Sequence, residues 1–194
     1  MGGEDRGTAM AASVVRTARS TGLDDDGIEL LSRAHVLAMA PRTRQLGDDH
    51  HPQFLHPGRT VLILLRDVGV ADAEVLSAAA VTESEDERLR VKLERVGRVL
   101  GNGVRSLVDR VPRPDSESLS ESLVTAPANV RLVALAERLD HLRHAHLRVG
   151  DEAWQRSAHA QAESVYLPVA ERTHPLLARR YKHWCRTFRR RWER

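Results

Sequence analysis

The residues with the clearest chemical potential in this 194-residue chain lie in three places. In LAERLDHLR (Leu135–Arg143), Glu137, Asp140 and His141 fall within about one helical turn. Glu137 and His141 are four apart and share a face. A carboxylate and an imidazole so placed can ligate one metal ion. A salt-bridged helix, with Arg131, Arg138 and Arg143 as partners, is the commoner reading of such a pattern. Glu85–Asp86 closes Leu76–Glu87, a stretch that turns from small apolar residues (Ala78, Ala79, Ala80, Val81) to acids (Glu83, Glu85, Asp86, Glu87). Neighbouring charge can raise one acid's pKa into the range of a general base; a solvated acidic turn is the plainer alternative. His56 precedes Pro57, whose fixed backbone directs the entry into a helix. A hydrogen-bonded core histidine is the commoner role for such a residue. His50, His51, His144, His146 and His159 are scattered and carry no evident partner. The chain lacks a Gly-rich phosphate loop, paired-Cys zinc spacing and a G-x-S-x-G elbow.

Helices must position these groups, because almost every patterned segment has helical period and strand alternation is absent. Asp24–Asp26 caps a helix with Ile28, Leu31, Ala34, His35 and Ala38 on its apolar face, which Pro41 ends or kinks. Arg42–Gln53 reads as a polar loop. A helix opens at His56–Pro57 and stops at Gly69, followed by helices over Ala71–Val81, Arg88–Leu100 and Val104–Val111. Residues 115–126, beginning DSESLSESL, read as a mobile loop. Val130–Leu147, Trp154–Arg172 (kinked at Pro168) and Pro175–Arg191 complete roughly seven to nine helices. The expected organisation is a disordered leader over residues 1–22, one all-α domain over 23–174, and a basic C-terminal helix over 175–194.

Composition sets bounds. The formal net charge is +3, the sequence pI is 9.6, and Lys92 and Lys182 are the sole lysines among many arginines. Cys185 is alone, which excludes an internal disulfide and suits a reducing cytoplasm. No apolar run approaches the ~20 residues of a membrane span, and the N-terminus lacks a signal-peptide pattern. In Arg179–Arg194, Tyr181, Trp184, Phe188 and Trp192 recur on one helical face and arginines on the other. Docking of the aromatic face on the body is one reading. Binding of nucleic acid, an anionic membrane or an acidic partner is the other.

Five stretches, in order, resemble the HD-domain hydrolase region of the RelA/SpoT alarmone enzymes, including the stand-alone small hydrolases. PQFLHP (Pro52–Pro57) is similar to the family's P-Y-I-x-H-P, and SAAAVTESED (Ser77–Asp86) to A-A-L-L-H-D-V-V-E-D. GNGVRSLVDRV (Gly101–Val111), LVALAERLDHLR (Leu132–Arg143) and AESVYLPVAER (Ala162–Arg172) are similar to its three later motifs. The resemblance implies an all-α HD fold around manganese, held by the H-P histidine, the H-D pair and the aspartate of A-D-R-L. The metal would activate water against the 3′-pyrophosphate of (p)ppGpp, assisted by the E-D pair. Carried over, His56 matches the first histidine, Glu85 and Asp86 the E-D pair, and Arg138 and Arg143 the later basic residues. His35 is one candidate for the family's helix histidine.

The departures fall on the metal. Val81 and Thr82 stand where the resemblance places the H-D pair, and Glu137 stands for the aspartate. Val cannot ligate, and a neutral Thr replaces a carboxylate poorly. The expectation is a stand-alone protein of HD type without resident metal, His56 and Glu137 being vestiges. Its pocket would take a nucleotide-like or other small ligand, as a non-hydrolysing binder or for metal-independent acid–base chemistry by Glu85, Asp86, His56 and His141. Thr82, Arg138 and Arg143 would contact that ligand. The alternatives are a manganese-dependent hydrolase rescued by Glu83 or His141, and an interaction module acting through the basic tail. The partners weighed are the small ligand, a second copy of the chain and, through Arg179–Arg194, nucleic acid or membrane.

Overall fold

The computed structural model describes residues 6–148 and 150–190, and no strand occurs among them. In chain order the helices are α1 (Arg6–Ser20), α2 (Asp25–Gln45), α3 (His56–Ile63), α4 (Ala73–Val81), α5 (Leu93–Leu100), α6 (Asn102–Asp109), α7 (Leu119–Thr125), α8 (Ala128–Arg143), α9 (Glu152–Gln161), α10 (Leu167–Thr173) and α11 (Pro175–Arg189). The protein is all-α, as the periodicity predicts, with one continuous core.

Helix α4 is central. The Asp72 carboxylate accepts from the amides of Glu74 and Val75 and so starts the helix. Every residue from Val75 to Val81 is buried. Alanine and serine let neighbours approach from all sides, and α2, α3, α6 and α8 pack against it. Helix α3 runs on through a wider turn, Leu64–Val68, to Gly69, whose φ of 76° ends it. A similar wide turn, Ala162–Tyr166, joins α9 to α10 directly before Pro168. That turn absorbs the amide that proline cannot donate.

Four expectations are corrected. Residues 6–20 are not a disordered leader but α1, because Val14 and Ala18, one turn apart, are buried against the body. Gly58 permits the approach: a Cβ there would lie 2.3 Å from Met10 Cγ. Residues 1–5 lie outside the described region. Pro41 does not end its helix; α2 continues to Gln45. Arg42 therefore belongs to a helix rather than a loop, and its guanidinium donates back to the Ala38 carbonyl. The stretch 115–126 is not simply a mobile loop: it contains α7, held by Leu119 and Leu123, which are buried although serines and acids surround them.

Helix α11 settles the first reading of the tail. Tyr181, Trp184 and Phe188 are buried on the body; Trp192 lies outside the described residues. The Tyr181 hydroxyl donates to the Leu135 carbonyl and Trp184 Nε1–H to the Leu142 carbonyl, both at 2.7 Å. Each bond ties α11 to α8, the helix that carries Glu137 and His141. Tyr181→Phe is expected to cost about 1 kcal/mol, the net worth of one such bond, read as a lower urea midpoint at unchanged slope. No helix is long and apolar enough to cross a membrane among the described residues.

Candidate functional site

Side chains from α2, α3, α8 and the turn after α4 converge at one end of the bundle. The His56–Pro57 entry places the His56 ring in the core, fully buried. Its Nδ1 lies 2.9 Å from Asp140 Oδ2 and donates to it. Arg59, one turn further along α3, donates to both Asp140 oxygens at 2.8 and 2.9 Å. This forked pairing holds Asp140 ionised. Burial opposes that charge, but the bonds from His56 and Arg59 outweigh it and hold the carboxyl well below its ordinary range. His56 Nε2 is buried without a hydrogen-bond partner.

His141 lies over His56, with ring centroids 4.3 Å apart and the planes tilted by 31°. Its Nε2 donates to Glu137 Oε1 at 3.0 Å and lies 3.5 Å from Glu83 Oε1; its Nδ1 lies 3.6 Å from Glu85 Oε2. Burial alone would discharge this imidazole. Glu137, and after it Glu83 and Glu85, outweigh burial and push its pKa well above the usual histidine value. The surrounding carboxylates thus favour the protonated form of His141, whose Nδ1 also lies 3.3 Å from Gln53 Nε2. Glu137 also accepts from the Ser84 amide and hydroxyl at 2.9 and 2.7 Å. Glu83 is paired with Arg42 at 2.6 Å, both side chains within 1 % of complete burial. The Glu83 carboxyl also accepts from the amides of Glu85 and Asp86, shaping the acidic turn.

Of the residues expected at the site, His56, Glu137, His141 and Glu85 are brought together. Glu85 is gripped by Arg138 and Arg148. Arg138 is largely buried beneath Glu85, between the rings of Trp154 and Tyr166. Asp86 stands at the rim, forked to Arg88. Two expected ligand contacts fall elsewhere. The Thr82 hydroxyl donates back to the Ala78 carbonyl, and the side chain lines a separate groove with Val91 and Val108. Arg143 points to Asp67, outside the cleft. His35 is buried beside Gly58, and its Nδ1 has no hydrogen-bond partner. Val81 is core.

Above this floor opens a cleft of about 590 Å³, lined by His51, Gln53, Arg59, Arg88, His144 and Arg148, with Glu85, Asp86, Asp140 and His141 also at its walls. Neither protein-family models nor curated proteins give any match to this chain. Its chemistry must therefore be read from the side chains.

Sequence reasoning missed Arg42, Arg59 and Arg148. Arg59 carried a signal: three residues after His56 on one helix, it shares that face. Arg42 and Arg148 carried none, since each meets its acid only through the tertiary fold.

The charges at the floor nearly balance. Four carboxylates (Glu83, Glu85, Glu137, Asp140) face four guanidinium groups (Arg42, Arg59, Arg138, Arg148).

Proposed function

We propose that this is an HD-like protein in which the His141 imidazolium does the electrostatic work of a metal cation, and whose cleft binds a phosphorylated small molecule of nucleotide size. The observation that carries this is the seat of His141, stacked on His56 and bonded to Glu137. Val81 and Thr82, where the resemblance places two metal ligands, offer the site nothing. The cleft volume suits a small ligand. Arg59, Arg88 and Arg148 supply planar donors to a phosphate, and Arg148 also lies 3.7 Å over the Trp154 ring. Glu85 and Asp86 are tied to arginines, so a phosphate that takes over Arg148 would leave Glu85 held by Arg138 alone, with its second oxygen beside His141. In that state Glu85 and His141 form an acid–base pair at the wall of the cleft.

A second reading is favoured by His56. A histidine whose Nδ1 is bonded to a carboxylate and whose Nε2 has no hydrogen-bond partner is oriented as metal-ligating histidines are. His56, Glu137 and His141 offer donor atoms all within 4.8 Å of one another. Two imidazoles and a carboxylate fit a divalent ion. Those three residues would hold it, and it would supply an activated water for hydrolysis.

Isothermal titration of guanosine 3′,5′-bis(diphosphate), GDP and pyrophosphate in EDTA, then in manganese, separates the readings. The expected result is binding of at least one of them in EDTA, with no phosphate release in either buffer. Arg148→Ala should weaken that binding at least about tenfold, the loss of one charge-assisted bond. Stoichiometric manganese with turnover would establish the second reading instead. Silence of all three probes in both buffers would refute the phosphate-binding cleft.

A further inference from the structure

Helix α11 buries one face and leaves the opposite face unused. With 100° per residue, Arg179, His183, Arg186 and Arg190 lie on one stripe diametrically opposite Tyr181 and Phe188. All four are exposed, and none has an ion-pair partner among the described residues. The flanking cations differ: Lys182 is paired with Glu171 and Arg189 with Glu163. The stripe lines a groove with Arg180 and Thr187. Arg180 also lines the adjoining groove, which contains Arg66, Arg143 and Asp67 and reaches Arg59 and His144 at the mouth of the cleft. Both carboxylates of that groove are already paired: Asp67 is shared by Arg180 and Arg143, and Asp140 is held by Arg59. A basic track therefore runs from the end of α11 to the cleft.

We infer that this track binds the phosphodiester backbone of a nucleic acid, independently of what occupies the cleft. From Arg179 to Arg190 the stripe is about 16 Å long, over which one strand of a duplex presents about five phosphates. Guanidinium forks suit phosphate oxygens. Among the described residues the helix offers a membrane only Leu176, because Leu177, Tyr181, Trp184 and Phe188 are buried on the body. The stripe carries no exposed aromatic for base stacking, so recognition is through the backbone and indifferent to sequence.

The test is fluorescence anisotropy of a labelled 20-nucleotide single strand and its duplex, from 50 to 200 mM salt, with the full-length protein. Wild type should bind at least one form with strong salt dependence. Arg179→Gln/Arg186→Gln/Arg190→Gln should reduce the slope of log K against log salt by about 2 on the single strand and nearly 3 on the duplex. These side chains are exposed and have no ion-pair partner among the described residues, so an unchanged melting temperature is expected and confirms the fold. Arg95→Gln/Arg98→Gln/Arg110→Gln removes the same charge from α5 and the end of α6, and should leave the slope almost unaltered. The inference is overturned if wild type binds neither oligonucleotide. It is equally overturned if both triple variants lower the slope alike, or if the α11 variant instead loses binding to phosphatidylserine vesicles while oligonucleotides are ignored.

Discussion

Arg42→Met is expected to destabilise the protein by about 3–5 kcal/mol, the cost of removing one partner from a buried ion pair. Arg42 is 1 % exposed, and each of its three guanidinium nitrogens makes a hydrogen bond. It pairs with Glu83 at 2.6 Å, donates to the Ala38 carbonyl at 3.0 Å and donates to the Gln53 carbonyl at 3.0 Å. Methionine can fill the volume but leaves Glu83 charged, buried and facing its neighbour Glu137. It also frees two carbonyls that hold the last turn of α2 and the approach to His56. Such a loss is a large part of the roughly 5–15 kcal/mol that holds a domain of this kind together. Guanidinium denaturation measures it directly. The double variant Arg42→Met/Glu83→Gln should recover part of the loss, since no unpaired charge then remains. A cost under about 1 kcal/mol for Arg42→Met would show that the pair does not organise the site.

His141→Gln should have the second largest effect, about 3 kcal/mol near pH 6, because it strips the cation from between Glu137 and Glu83. The pH dependence identifies the cause. His141 has a folded-state pKa raised above its unfolded value, so its contribution is fully present below about pH 6.5 and is lost as pH rises through the raised value. The stability difference between wild type and variant should therefore narrow steadily as pH is raised above 6.5. Asp140 and Glu83 behave in the opposite sense. Their folded pKa values are depressed, so the stability they confer is present above about pH 4 and is lost as pH falls further. His35 and His144, held low chiefly by burial, cost stability as pH falls below about 6.5. They are common to both proteins and cancel in the difference. A difference that stays constant from pH 6 to pH 10 would mean that His141 acts by packing and not as an imidazolium.

The helices were legible where their cause is local. Asp24 and the apolar positions from Ile28 to Ala38 announce α2, and Asp24 does accept from the Gly27 amide. The His56–Pro57 start, the Gly69 stop and the irregularity at Pro168 are where local backbone chemistry puts them. The errors share one cause. The leader and the serine-rich stretch look too polar to order, yet two apolar side chains in each, Val14 with Ala18 and Leu119 with Leu123, find burial elsewhere. Pro41 looks like a stop, yet the Arg42 contacts hold the turn beyond it. In each case tertiary burial overrode a local preference worth about 1–3 kcal/mol.

The sequence alone determined an all-α chain, an alanine-rich central helix, a C-terminal helix with opposed aromatic and basic faces, and the candidacy of His56, Glu85, Glu137 and His141. These follow from residue type and helical period, which act over a few neighbours. Only the tertiary structure decided what those residues do to one another. His56 meets Asp140 across 84 positions of chain and Arg42 meets Glu83 across 41. No periodicity encodes which buried charge faces which. The charge state of His141 depends on that arrangement, because in a desolvated interior a carboxylate's distance, and not its presence in the chain, sets whether an imidazole keeps its proton.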